Sequence, residues 1–184
     1  MNLFILNDDP VIAAQEQCDK HVVKMIVESA QMLSTVHRML DGTKEKRPSK
    51  SGKRMVDYYR LNDDREDTLY KAVHFNHPCT VWSRENCCNY SWHYEHFVAL
   101  CDEYTYRYEK VHSTDSKLRN ILKALPKNIN RSSGMTPFKL AMKSNPECMF
   151  EDPIKSYRAF YQTKQHRFNM IWTKRDVPGW FNYA

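Results

Sequence analysis

A histidine, a lysine and a glutamate lie at helical spacing in the segment 18–38, which is otherwise apolar enough to be buried. His21 and Glu28 fall within about 20° of one line along an ideal helix, with Lys24 between them and Gln31 beyond. A carboxylate beside an imidazole and an ammonium is costly to bury, and it can transfer protons or stabilise a cation. The spacing therefore favours a reactive strip. A solvated face of an ordinary amphipathic helix has the same pattern, and that interpretation stays open.

A second cluster follows His77-Pro78, where the proline predicts a break between helices. The planar fork of Arg84 suits a phosphate, and the ring of Trp82 suits a stacked base. The same residues suit a structural role equally well, with Trp82 in the core and Arg84 paired with Glu85 or with a helix end.

Basic residues concentrate in two further places, and the chain carries a net charge of +6, which favours an anionic partner. The segment 43–54 holds six lysines and arginines against Glu45 alone, so we expect a mobile basic loop. Its Lys53 and Arg54 would either contact phosphates or simply keep a linker solvated. Near the C-terminal end of the chain, basic residues alternate with aromatic residues, and we expect Lys174 and Arg175 to be free to contact a nucleic acid.

These residues are predicted to be positioned by helices alone. The spacing indicates one helix from the Asp9-Pro10 start to Gly42, then short helical pieces at 56–61 and 68–75. A long helix carries an aromatic stripe over 90–108. The remaining predictions are a helix capped by Thr114, an irregular segment 127–151 with one possible turn at 138–143, and a last helix from 153 that buries residues up to Trp172. We expect an all-α, compact single-domain helical bundle over 1–184, and a monomer.

Several classes of site are disfavoured. Only four glycines are present, and there is no P-loop, GxGxxG or GxSxG motif, so no nucleotide cofactor is expected. His93 and His96 lie near Cys87 and Cys88 without the spacing of a zinc site, so no metal is expected. The six cysteines form no CxxC pair and are interpreted as reduced thiols. With no signal peptide pattern and no membrane-spanning run, we expect a cytoplasmic protein without a membrane partner.

The chain resembles the pyrimidine-dimer DNA glycosylase (endonuclease V-like) family in three places. The opening MNLFIL and its short turn resemble the N-terminal segment of that family. His21 and Glu28 reproduce the spacing between its helix histidine and its catalytic glutamate. His77-Pro78 with Arg84 resembles an element of bacterial relatives, and the aromatic end from Trp180 to Ala184 resembles the family's C-terminus.

The resemblance implies a helical protein that bends double-stranded DNA, extrudes a nucleotide and attacks the sugar C1′ with its N-terminal α-amine. An α-amine, with a reference pKa near 8, is closer to the uncharged nucleophile at neutral pH than a lysine is. The implied catalytic residues are Met1 or Asn2 as the amine, Glu28 for the oxocarbenium-like sugar, and His21 to hold phosphate or to orient Glu28. The implied DNA contacts are Lys24, Gln31, His77, Trp82, Arg84, Lys53, Arg54, Lys174 and Arg175.

The chain also departs from the family. Asn2 is bulky, so Met1 is expected to be retained and the amine would stand one residue further out. Val27 and Gln31 occupy positions where the family has arginines. A non-catalytic nucleic-acid-binding protein, or a base-modifying enzyme on the same scaffold, is therefore an open alternative.

Overall fold

The computed structural model describes residues 1–184 as helices packed around one core, with a single β-hairpin at the edge. The fold is therefore mostly helical, and the prediction of a purely α-helical protein is wrong in that one element. The helices and strands are α1 (Pro10–Gln15), α2 (Asp19–Asp41), β1 (Thr43–Pro48), β2 (Met55–Arg60), α3 (Arg65–Thr68), α4 (Pro78–Ser83), α5 (Cys87–Tyr108), α6 (Ser113–Lys123) and α7 (Pro153–Gln162). Short 3₁₀ turns cover Pro146–Cys148 and Thr163–His166.

The predicted first helix is broken near its start. Asp9 caps α1 as expected, its carboxylate accepting hydrogen bonds from the main-chain N–H groups of Val11 and Ile12. The chain then leaves the helix, because the buried side chain of Gln17 donates to the carbonyl of Leu3 and the N–H of Cys18 donates to the hydroxyl of Tyr161. The longer helix α2 begins only at Asp19 and runs to Asp41.

The basic segment after α2 is a strand rather than a mobile loop, and the helix predicted over 56–61 is its partner strand. β1 and β2 pair antiparallel with Lys46 opposite Asp57. The ammonium groups of Lys44 and Lys46 lie 3.0 and 2.6 Å from the carboxylate of Asp57, while Arg47 pairs with Glu45 and lies over the ring of Tyr58. One cross-strand carboxylate, that of Asp57, thus pairs with two of the lysines that were expected to keep this segment disordered.

Arg38 joins the hairpin to the helical body. Its side chain is 1 % exposed, and its guanidinium lies 2.6 Å from the carboxylate of Glu66. It also donates to four main-chain carbonyls, those of Tyr59, Glu66, Leu69 and Tyr70. One buried cation therefore holds the end of β2, the short helix α3 and the segment that follows it.

The remaining helices follow the predictions with shifted ends. Helix α5 carries the expected aromatic stripe, and α6 begins two residues earlier than predicted because His112, rather than Thr114, caps it. No helix forms at 68–75 beyond the end of α3 or at 138–143, and α7 ends at Gln162 rather than near Trp172. All six cysteines are unpaired. No helix has both the length and the apolar composition needed to cross a bilayer.

Candidate active site at the first nitrogen of the chain

The carboxylate of Glu28 lies beside the start of the chain. Its Oε2 is 3.4 Å from the terminal amine of Met1, and it accepts a hydrogen bond of 3.0 Å from the main-chain N–H of Asn2. Its Oε1 is 3.3 Å from the ammonium of Lys24. The Glu28 side chain is 12 % exposed, so this arrangement lies at the rim of the core. A nucleophile, a carboxylate and a cation therefore share one small volume.

The N-terminal segment is fixed by burial rather than left to fray. Residues 3–6 are in the core, and the side-chain oxygen of Asn2 accepts hydrogen bonds from the main-chain N–H groups of Leu3 and Phe4. The amide nitrogen of Asn2 donates to the carbonyl of Ala141. The Met1 side chain is buried although the residue as a whole is partly exposed, so its main chain faces solvent. The amine is thus held in place and accessible.

His77 belongs to the same site. Burial, followed by the positive charge of the terminal amine, lowers the pKa of His77, whereas the Met1 carbonyl and the Glu28 carboxylate act in the opposite direction. Its Nδ1 accepts from the N–H of Cys79 at 3.3 Å, capping α4. A neutral ring that accepts at Nδ1 carries its proton at Nε2. The imidazole can therefore donate a hydrogen bond near the amine.

His21 does not have the role predicted for it. It is buried, with Nδ1 2.7 Å from the hydroxyl of Tyr161 and its ring 4.5 Å from that of Phe4, and it makes no hydrogen bond to Glu28. Burial, and then the charges of Lys24 and Lys164, lower the pKa of His21 to about 3. The ring stays neutral and supports the N-terminal segment through Phe4.

Trp82 is structural as well, and Arg84 contacts a main-chain carbonyl. Trp82 is 1 % exposed and donates from its indole nitrogen to the carbonyl of Thr136, so no base can reach its face. Arg84 donates from one nitrogen to the carbonyl of Phe75 at 2.6 Å and is otherwise partly exposed. The structural interpretation is therefore correct for Trp82, and the phosphate contact expected of Arg84 stays a prediction.

Lys174 and Arg175 are engaged in ion pairs at the C-terminal end of α5. The ammonium of Lys174 lies 2.7 Å from the carboxylate of Glu109, and Arg175 forms a two-point contact with Glu103. The expectation that these tail residues are free is therefore wrong. Gln31, in contrast, is partly exposed one turn after Glu28, and its side chain makes no hydrogen bond within the protein.

A basic groove lies between the hairpin and the segment 71–75, with a volume of about 950 Å³. Its cationic lining includes Arg54, Lys71 and His74, and Asp57 is its only carboxylate. Lys53 and Arg54 line a neighbouring depression at the hairpin turn. The lysines and arginines that line the groove are Lys46, Arg47, Lys50, Arg54 and Lys71.

The groove is connected to the amine through α2. The hydroxyl of Thr35 donates to the carbonyl of Val73 and accepts from its N–H, and the same segment continues to His77. Thr35 is seven residues after Glu28, a distance of about 10 Å along the helix axis. Lys71 and His74 carried no signal in the sequence, because neither lies in a basic cluster or at helical spacing with Glu28.

His93 and His96 are occupied within the fold. His93 lies 2.6 Å from the hydroxyl of Ser83, and His96 lies 2.9 Å from the carbonyl of Pro10. No three histidine, cysteine, aspartate or glutamate side chains converge as metal ligands would. Comparison of the chain with models of protein families, with curated proteins and with solved structures found no match.

Proposed function

We propose that this protein is a DNA-processing enzyme, an N-glycosylase with AP-lyase activity on damaged or modified pyrimidines. The observation that carries the proposal is the 3.4 Å separation between the terminal amine of Met1 and the carboxylate of Glu28. A nucleophilic amine needs a neighbouring base, and a developing sugar cation needs a nearby anion. Glu28 can serve as both.

The chemistry follows from this pair. The amine attacks C1′ of an extruded nucleotide, the N-glycosidic bond breaks, and the base leaves with the bonding electrons. The amine passes a proton to Glu28, and ring opening then gives a protonated imine at C1′. Loss of a proton from C2′ breaks the C3′–O bond by β-elimination and releases the 3′ phosphate. Water finally hydrolyses the imine and regenerates the amine.

The site does not depend on which residue carries the amine. The nitrogen atoms of Met1 and Asn2 lie 3.4 and 3.0 Å from the same oxygen of Glu28. Retention of Met1 leaves its own amine at the carboxylate, and removal of Met1 would convert the Asn2 nitrogen into an amine already in contact with it. The departure from the family pattern at position 2 therefore leaves the proposed nucleophile in reach of its base.

The basic groove supports DNA as the partner. A duplex advances about 3.4 Å per nucleotide along each strand, so 10 Å of helix corresponds to roughly three nucleotides. A phosphate about three nucleotides to one side of a nucleotide held at Glu28 would thus lie toward the groove that Lys71 and Arg54 line. Base extrusion requires bending of the duplex, and a cationic surface beside the reactive group stabilises such bending.

Borohydride trapping tests the proposal. Reduction of the imine should link the wild-type protein covalently to ultraviolet-irradiated or abasic duplex DNA. Glu28→Gln should reduce the trapping rate by about 10²-fold or more, as loss of a general base does. Glu95→Gln, which changes an exposed glutamate without an ion pair, is the matched control and should trap normally. Acetylation of the terminal amine should abolish the adduct. Absence of an adduct with both wild-type substrates would refute the lyase mechanism.

The groove also favours a second candidate, a non-catalytic nucleic-acid-binding protein, because its cations do not depend on the amine. That function predicts salt-sensitive DNA binding that persists in Glu28→Gln and in the acetylated protein, with no covalent adduct from the wild type.

A further inference from the structure

Lys164 is a buried cation without an anion. Its residue is 7 % exposed, yet no carboxylate lies within 4 Å of its ammonium and the side chain donates no hydrogen bond. The ammonium lies over the ring of Phe160, 3.3 Å from the centroid. The other strongly buried cations are all paired, Arg38 with Glu66 and Arg107 with Asp19 and Glu103. Lys164 is the exception.

The position of Lys164 relates it to the candidate site. The ring of Phe160 stacks on Phe4 at 6.2 Å, and Phe4 in turn lies 4.5 Å from the ring of His21. Lys24 is one helical turn after His21 and reaches Glu28. Consistent with this proximity, the charges of both lysines lower the pKa of His21. Burial, the charge of Arg167 and that of Lys24 also lower the pKa of Lys164, to about 8, whereas the Cys148 thiol acts in the opposite direction.

An aromatic face does not satisfy an ammonium. It attracts the positive charge, but three N–H donors remain without acceptors. Sequestering such a group is unfavourable unless an anion compensates it. The unpaired ammonium nevertheless keeps a small area exposed to solvent and is not sealed in the core.

We propose that Lys164 and Lys24 form a phosphate-binding site beside the terminal amine, which takes a backbone phosphate of the strand being processed. This inference rests on the proposed function for the identity of the strand. The carboxylate of Glu28 is already engaged by Met1, Asn2 and Lys24, and no carboxylate pairs with Lys164, so a bound anion would supply the compensating charge. A lysine binds phosphate as a point charge without the planar geometry that arginine requires.

Binding to a duplex that contains a tetrahydrofuran abasic analogue tests the site without any reaction, because the analogue has no leaving group at C1′. Fluorescence anisotropy over a range of salt concentrations should show that Lys164→Met weakens binding on the order of tenfold. The slope of log affinity against log salt should fall in magnitude by about 0.9, the value for one phosphate. Lys164→Arg should keep the slope.

Lys155→Met is the matched control, since Lys155 lies over the ring of Phe150 and belongs to the preceding helix α7, but it is exposed. It should leave affinity and slope unchanged. An unchanged slope and an affinity within twofold of wild type for Lys164→Met would overturn the proposal. Thermal melting checks the fold, and Lys164→Met should melt no lower than wild type because it removes an uncompensated charge.

Inorganic phosphate distinguishes the two sources of the anion. If phosphate raises the melting temperature of wild type but not of Lys164→Met, while the DNA salt slope is the same in both, the site binds free phosphate and the assignment to DNA is wrong. A salt slope that is smaller by about 0.9 in Lys164→Met supports a DNA phosphate at this site, even if the wild-type protein forms no borohydride adduct. The failure of the lyase mechanism and the failure of this site are thus separate results.

Discussion

The hairpin should depend on one side chain, and Arg38→Met tests this dependence. The guanidinium is 1 % exposed and donates five hydrogen bonds, of which four go to main-chain carbonyls and one to the carboxylate of Glu66. Its removal leaves a carboxylate and four carbonyl groups short of a donor at the join between β2 and the helical body. Breaking a buried ion pair by removing one partner costs about 3–5 kcal/mol. For a chain of this length that corresponds to a melting temperature lower by roughly 10 °C.

Urea unfolding followed by circular dichroism measures the loss. Arg60→Met is the control, because Arg60 is the last residue of β2, which Arg38 contacts, and it is exposed and forms no ion pair. It should change the free energy of unfolding by less than about 0.5 kcal/mol. Adding Glu66→Gln to Arg38→Met should recover part of the loss, since the orphaned group is then neutral. The reasoning is refuted if Arg38→Met is within 1 kcal/mol of wild type, or if Arg60→Met costs as much.

Two further predictions concern stability. Burial lowers the pKa of four histidines well below 6.5, so each binds a proton more readily in the unfolded chain, and stability should be complete above pH 6.5 and fall as pH drops toward 4. The loss is about 1.4 kcal/mol per pH unit for each histidine, and equal urea midpoints at pH 7 and pH 5 would contradict it. These histidines are His21, with a pKa of about 3, His37 and His96, each with a pKa of about 4, and His93. Gly42→Ala should destabilise by about 1–3 kcal/mol, because its Cβ would lie 2.5 Å from the carbonyl oxygen of Arg38, whereas Gly179→Ala meets no atom within 4 Å and should melt like wild type.

Local rules predicted the parts of the fold that depend on neighbouring residues. The Asp9-Pro10 and Asp152-Pro153 starts are confirmed, with each aspartate accepting hydrogen bonds from the first turn. The hairpin was missed because the charge balance was counted only within the segment 43–54. Asp57, which neutralises two of its lysines, is outside that window and meets them only after the strands pair.

In the candidate site, too, the sequence predicted contacts within one helix but not contacts between distant parts of the chain. Helical spacing placed Lys24 and Glu28 on one face, and the structure joins them at 3.3 Å. The same spacing could not reveal that Phe4 and Tyr161, from distant parts of the chain, cover His21. Periodicity describes a helix face but not what packs on it. The proximity of the amine to Glu28 likewise had no basis in spacing and came only from the family resemblance.

The start of the chain is held by residues that are synthesised last. Asn2 is anchored on Ala141, Leu6 receives a hydrogen bond from Arg158, and Cys18 is bonded to Tyr161. A nascent chain therefore cannot assemble the amine and its carboxylate until most of its length has left the ribosome. Contacts between such distant residues form slowly. Under the proposed function, attack on a nucleic acid would therefore begin only after residues 141–161 have packed against the start of the chain.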